Sequence, residues 1–189
     1  TAIELANWFA ANADPAHRRM AHLVENLPDE WQQEMPVPAA PPAKAGPGRH
    51  GLLLGAAFGS MNATALAELM VQTEAALVVP TPWRMLLLPG VTEARRPGFV
   101  SDPESPLLRA SACPGKPFCT SASVETRGMA SRLASRVAGS LHVSGCEKGC
   151  AMPRPADVTL VGREGGFDLV RAGHPWDEPD RRGLRPEDL

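Results

Sequence analysis

The chain has no tyrosine among its 189 residues, and aromatic residues make up only 5% of it. The missing tyrosine carries no function by itself; other absences exclude more. No apolar run reaches about 18 residues, so no transmembrane helix is expected. The opening Thr1-Ala-Ile-Glu-Leu5 lacks a basic segment followed by an apolar core and does not read as a secretion signal. The expected compartment is the cytoplasm. Position 1 is Thr rather than Met, which fits either processing or a segment of a longer protein. No excess of positive charge exists: the formal net charge is −2. A general nucleic-acid binder needs a basic surface to neutralise phosphates, so that class is excluded. Cysteine is absent everywhere except between Cys113 and Cys150.

What is present supports a folded chain. The hydrophobic fraction of 43% is enough for a core. Residues Ile3 to Ala11 carry a short helical pattern. Asp14-Pro15 reads as an N-cap and first helical position, with Met20, Leu23, Val24 and Leu27 repeating at helical spacing until Pro28. His17, Arg18, Arg19 and His22 on that stretch read as a solvated basic face. From Pro36 to Gly48 proline recurs too often for helix or a central strand, so 36–50 is expected to be a linker. Residues 1–35 then resemble the helical end of a preceding domain.

After the linker, Gly51–Gly55 reads as a buried strand and Asn62 as the cap of a helix over Ala63–Glu74. Ala76–Val79 and Trp83–Leu88 read as two further strands, closed by Pro89-Gly90. Strand, helix, strand, strand over 51–98 suggests half of a ferredoxin-like α+β unit. In 99–174, a polar loop leads into the cysteine region. Thr120 and Ser121 are expected to cap a helix from about Ser123 to Ala138. Leu141–Val143 reads as a strand, and Asp157–Val161 with Gly166–Arg171 as a hairpin. The charged, proline-bearing tail at 175–189 is expected to be loose. The fold class is therefore α+β.

The cysteines fall in two pairs, Cys113-Pro-Gly-Lys-Pro-Phe-Cys119 and Cys146-Glu-Lys-Gly-Cys150. Two short-spaced pairs without an export signal favour metal ligation over disulfides. Structural zinc sites usually pair ligands two to four residues apart. The second pair fits that range and the first, with five intervening residues, fits it poorly. A cubane cluster is a larger object that suits wider loops. Gly115, Gly145 and Gly149 allow close backbone approach, and amides in such loops can donate to sulfur. On spacing, an iron–sulfur cluster leads, zinc follows and disulfides come third.

These residues resemble a known family. Cys113-Pro-Gly-x-Pro-x-Cys119, the segment Glu125-Thr126-Arg127, and His142-Val-Ser-Gly-Cys146-x-Lys-Gly-Cys150-Ala are similar to the siroheme-dependent nitrite and sulfite reductase superfamily. They look most like its precorrin-3B synthase branch. The segments around Phe58 and Thr81-Pro-Trp83-Arg84 add to the likeness, which spans about Gly51 to Ala172. The resemblance implies a [4Fe–4S] cluster on Cys113, Cys119, Cys146 and Cys150, in a nitrite/sulfite-reductase-type domain after the ferredoxin-like half-domain. For the synthase branch it implies a precorrin substrate, oxygen-dependent hydroxylation with γ-lactone formation in cobalamin biosynthesis, a non-haem iron and an electron donor. In the reductase alternative, siroheme is bound and Cys150 bridges to it. The ring's carboxylates need cationic partners, and Arg84, Lys116, Arg127 and Lys148 lie on or beside the matching motifs. No catalytic residue is assigned. His142 reads as a satisfied core residue and Trp83 as core packing. Family members are built from two homologous halves, and one half is found here, so the resemblance implies a C-terminal portion that works with an N-terminal half or a second chain. A different class remains: a zinc-stabilised binding module presenting Arg127, Arg132 and Arg136.

Overall fold

A computed structural model describes residues 1–17, 19–32 and 41–189. The chain forms two compact units, Thr1–Pro41 and Pro42–Leu189. The structure is mixed α and β, with two sheets and few helices. Among the described residues, no helix is long and apolar enough to cross a membrane.

In the first unit, helix α1 spans Ala2–Asn12 and starts on a capping box between Thr1 and Glu4. The helix expected after Asp14 is replaced by short 3₁₀ turns at Met20–His22, Val24–Asn26 and Asp29–Trp31. Asp14 Oδ1 does accept from the amides of Ala16 and His17, but the backbone breaks off instead of propagating. Leu23 is buried, and Trp8 meets Trp31 edge to face at 6.2 Å. The expected basic face is exposed at His17, Arg19 and His22; Arg18 lies outside the described residues.

The second unit begins earlier than the sequence suggests. Residues 36–40 of the expected linker lie outside the described residues, but Gly46–Gly48 is a strand, β1, paired antiparallel with β2 at Gly51–Gly55. Pro47 is tolerated because β1 is an edge strand. Strands β3 (Val79–Pro80) and β4 (Met85–Pro89) complete an antiparallel sheet of order β1-β2-β4-β3. Helix α2 (Ala63–Thr73) is capped by Asn62, whose Oδ1 accepts from Ala65 N, and ends on Glu74 in the left-handed region. Leu69 of α2 packs on Leu52, Leu54, Leu86 and Leu88.

The second sheet has the order β5-β6-β7-β8-β9. Strands β5 (Ala110–Ala112), β6 (Leu141–Ser144) and β7 (Ala156–Arg163) run parallel to one another; β8 (Gly166–Gly173) pairs antiparallel with β7, and β9 (Arg181–Leu184) antiparallel with β8. The 175–189 segment is therefore not loose: β9 pairs with β8, and Leu184 is in the core. Helix α3 is shorter than expected, Arg127–Leu133, followed by a 3₁₀ turn. Its Met129, Ala130 and Leu133 cover Ala110, Ala112, Leu141, Val143, Leu160 and Phe167. Phe58, just after β2, packs against this core, and Gly55 of β2 makes an isolated antiparallel bridge to Val100 in the segment that leads to β5.

Candidate functional site

Cys113 immediately follows β5, and Cys146 follows β6 after Gly145. These strands are parallel neighbours with Ala112 opposite Val143. Both cysteine loops therefore leave the sheet at the carboxyl ends of adjacent strands, where open α/β sheets generally place ligands.

The loops are joined by backbone. Ser123 N donates to Gly145 O (3.0 Å), and Gly145 N donates to Cys113 Sγ (3.2 Å). Within the first loop, Cys119 N donates to Gly115 O and Lys116 N to Val124 O, each at 2.8 Å. Thr126 Oγ1 donates to Cys113 O at 2.5 Å. Gly115 has φ +65°, and a Cβ there would stand 2.6 Å from Thr126 Oγ1, so the turn has room only for glycine. Thr120 and Ser121 do not cap α3. That role falls to the Glu125 carboxylate, which accepts from Gly128 N (2.7 Å) and Met129 N (3.2 Å). The residues before it are used in the loop that folds back on Gly145.

All four cysteines are free, so the structure offers no disulfide. Burial falls from Cys113, which is buried, through Cys119 and Cys146 to Cys150, which is exposed. Among the described residues, no group of three or more His, Cys, Asp or Glu side chains is arranged to hold a metal ion. The structure thus brings two cysteine loops to one edge of the sheet without forming a closed ligand cage.

The four candidate cations divide into two kinds. Arg84 and Arg127 face protein. Arg84, in the turn before β4, has φ +58° and donates from Nη1 to Ala110 O (3.1 Å) and towards Ser111 Oγ (3.4 Å). Burial, and then the neighbouring positive charge of Arg154, lower its pKa. Arg127 Nη1 donates to Ser60 Oγ (2.9 Å), while its buried Nε has no partner among the described residues. The lysines are exposed. Lys148 Nζ donates to Ser121 Oγ (3.0 Å), linking the two cysteine loops, and Lys116 lies in the first loop. Ion pairs are made by other arginines, among them Arg96, Arg163, Arg182 and Arg185. Among the described residues, none of the four candidates has a carboxylate partner.

Two expectations need correction. His142 is fully buried, as expected, yet neither ring nitrogen has a partner among the described residues, and burial lowers its pKa to about 4. It is a core residue but not a satisfied one. Trp83 is 41% exposed and is not core packing. Arg154, outside the cysteine motifs and after the second cysteine loop, lies close enough to Arg84 for its charge to act there.

No family model matches the chain. A curated precorrin-3B synthase from Sinorhizobium sp. is 36% identical over 161 residues, covering 72% of this chain. The chain spans only 35% of that relative's length. Among solved structures, the NirA protein of Mycobacterium tuberculosis superposes with a TM-score of 0.56 at 20% identity, covering 90% of this chain and 41% of NirA. That likeness shows the fold. The cysteine motif and the curated relative agree, and the chain resembles part of precorrin-3B synthase.

Proposed function

We propose that this chain is the cluster-bearing part of a precorrin-3B synthase acting in cobalamin biosynthesis. The name of the curated relative supports the substrate class. The observation that carries the cluster is the Gly145 amide donating to Cys113 Sγ across adjacent parallel strands. Amide donation to sulfur is the kind of outer contact that tunes thiolate-held clusters. It fits a site where Cys113, Cys119, Cys146 and Cys150 hold [4Fe–4S]. When bound there, the cluster supplies one-electron transfer.

In this reading the chain's own residues do the positioning. Cys113 anchors one side, buried and tied through its carbonyl to Thr126. Lys148 binds the second loop to the first through Ser121. Arg84, Lys116, Arg127 and Lys148, with Arg154, receive the carboxylates of the precorrin ring, since none of the first four is neutralised by an acid among the described residues. Arg84 and Arg127 give up hydroxyl and carbonyl contacts to do so. Residues 51–98, with β1, form the ferredoxin-like half-domain, and 99–174, with β9, the cluster domain. The chain's 35% share of its relative leaves room for another segment, or a second chain, to complete the ring pocket. The activity itself, hydroxylation of precorrin-3A by an oxygen-dependent monooxygenase with closure of a γ-lactone, then belongs to the whole synthase with its non-haem iron and electron donor.

Anaerobic purification followed by metal and sulfide analysis tests this. The expected result is about four irons per chain and a brown chromophore absorbing near ~400 nm. Zinc in their place overturns the cluster and leaves a binding module. Extractable siroheme instead identifies the reductase alternative.

A further inference from the structure

The turn after β8 packs on the second cysteine loop. Gly149 has φ +64°, and a Cβ built there would stand 2.9 Å from Trp176 Cζ3 and 3.2 Å from Pro175 Cγ. Trp176 and Pro175 therefore press on the backbone of the residue just before Cys150. Trp176 in turn stacks on His174, with ring centroids 4.6 Å apart and planes 16° from parallel.

The turn is braced from behind. Asp177 Oδ2 accepts from His174 N at 2.7 Å and lies 3.2 Å from His174 Nδ1. On the strand side, Arg171 N donates to Asp180 Oδ2 (2.7 Å) and Asp180 N to Leu169 O (2.8 Å). Both ends of the turn thus sit in paired strands, β8 and β9. Trp176 itself is 54% exposed, so it is not placed there to fill the core. Of the four cysteines, Cys150 is the exposed one, and its position depends on the path of its loop more than on packing of its own side chain.

We propose that Trp176 is a positioning residue for Cys150: stacked on His174, it wedges against Gly149 and sets the path of the Cys146–Cys150 loop. The consequence for a cluster rests on the reading given above; the wedge itself does not. Outer contacts of this kind typically change metal affinity about 10–100-fold.

The test uses the full chain with Trp176→Ala and Trp176→Phe, each first shown to melt as a folded protein. Hydrogen exchange of the reduced, metal-free chain is measured over residues 146–152, where Met152 N donates to Gly149 O at 3.1 Å. About tenfold faster exchange confined to this loop is expected for W176A, with W176F close to the parent. Unchanged exchange, or acceleration spread equally through β7 and β8, overturns the proposal. After anaerobic reconstitution with ferrous iron and sulfide, chelator-driven loss of absorbance is expected to be about tenfold faster in W176A and restored in W176F. An equal rate in all three overturns the positioning of Cys150. A parent chain that takes up no cluster sinks the cluster reading alone, and hydrogen exchange then decides the wedge.

Discussion

The two faces of the five-stranded sheet are built on opposite principles. Alternation along the strands puts Ala110, Ala112, Leu141, Val143, Leu160, Phe167 and Leu169 on the face under α3. The other face carries Ser111, His142, Ser144, Thr159 and Asp168 beside Val161 and Val170, all buried. Register confirms the layering, since Ser111 is opposite His142, and His142 opposite Thr159. One face holds the fold by apolar burial. On the other, each polar group needs its own partner. Thr159 Oγ1 donates to Gly173 O (2.8 Å), Ser144 Oγ to Cys146 O (2.7 Å), and Asp168 Oδ1 accepts from Gly183 N (3.0 Å). Arg84 reaches Ser111 from the first sheet. Of these five side chains, His142 is the one with no partner among the described residues. Polar chemistry is concentrated on the face that leads to the cysteine loops, and the opposite face supplies the stability.

Three substitutions or conditions sharpen that contrast. The largest effect is expected on the apolar face: Leu141→Ala removes a side chain that is 1% exposed. It is expected to lower unfolding free energy by about 2–5 kcal/mol, read by denaturant titration. A loss below ~1 kcal/mol would mean that this face does not carry the fold.

On the polar face, His142 is expected to make stability depend on pH. Its folded pKa of about 4 lies below the unfolded value of 6.5, so the unfolded chain binds more protons between those two values. Stability is fully present above about pH 6.5 and falls as pH drops towards about 4, by on the order of 3 kcal/mol. His142→Leu is expected to remove that component without loss at neutral pH, because it takes away a buried polar group that has no partner among the described residues. An identical pH profile in the variant would show that His142 does not carry the slope.

The smallest effect belongs to the link between the faces. Glu125 caps α3 just after the first cysteine loop, and Glu125→Ala is expected to cost about 1 kcal/mol in a thermal or denaturant melt. No measurable loss would indicate that the packing of Met129 and Leu133 alone fixes the helix.

Much of this architecture is legible along the chain. Gly51–Gly55, the Asn62 cap and the hairpin across Arg163–Gly166 carry local signals: turn residues, a capping side chain and apolar alternation. The cysteine loops stand out by spacing and by their glycines. The elements that lack a local signal depend on distant partners. Strand β9 has the polar sequence Arg181-Arg182-Gly183-Leu184 and exists because β8 offers an edge to pair with. Helix α3 starts late because the Ser123 amide donates to Gly145 O and the Val124 carbonyl accepts from Lys116 N, so neither backbone group is free for an earlier helical turn. His142 looks like an ordinary strand residue until both of its neighbouring strands are known.

For this protein, then, the amino-acid sequence alone determined which side chains are available to the site: four cysteines in two loops, the glycines that let backbone approach them, and the basic residues alongside. These are local properties, set by residue type and spacing. The tertiary structure decided which of them meet. Only the parallel pairing of β5 with β6 puts Cys113 beside the Gly145 amide, and only the pairing of β9 with β8 brings Trp176 against Gly149. Both contacts join residues far apart in the chain. They form because strands that bury one apolar face must also satisfy their backbone hydrogen bonds, and no local pattern encodes that choice of partner.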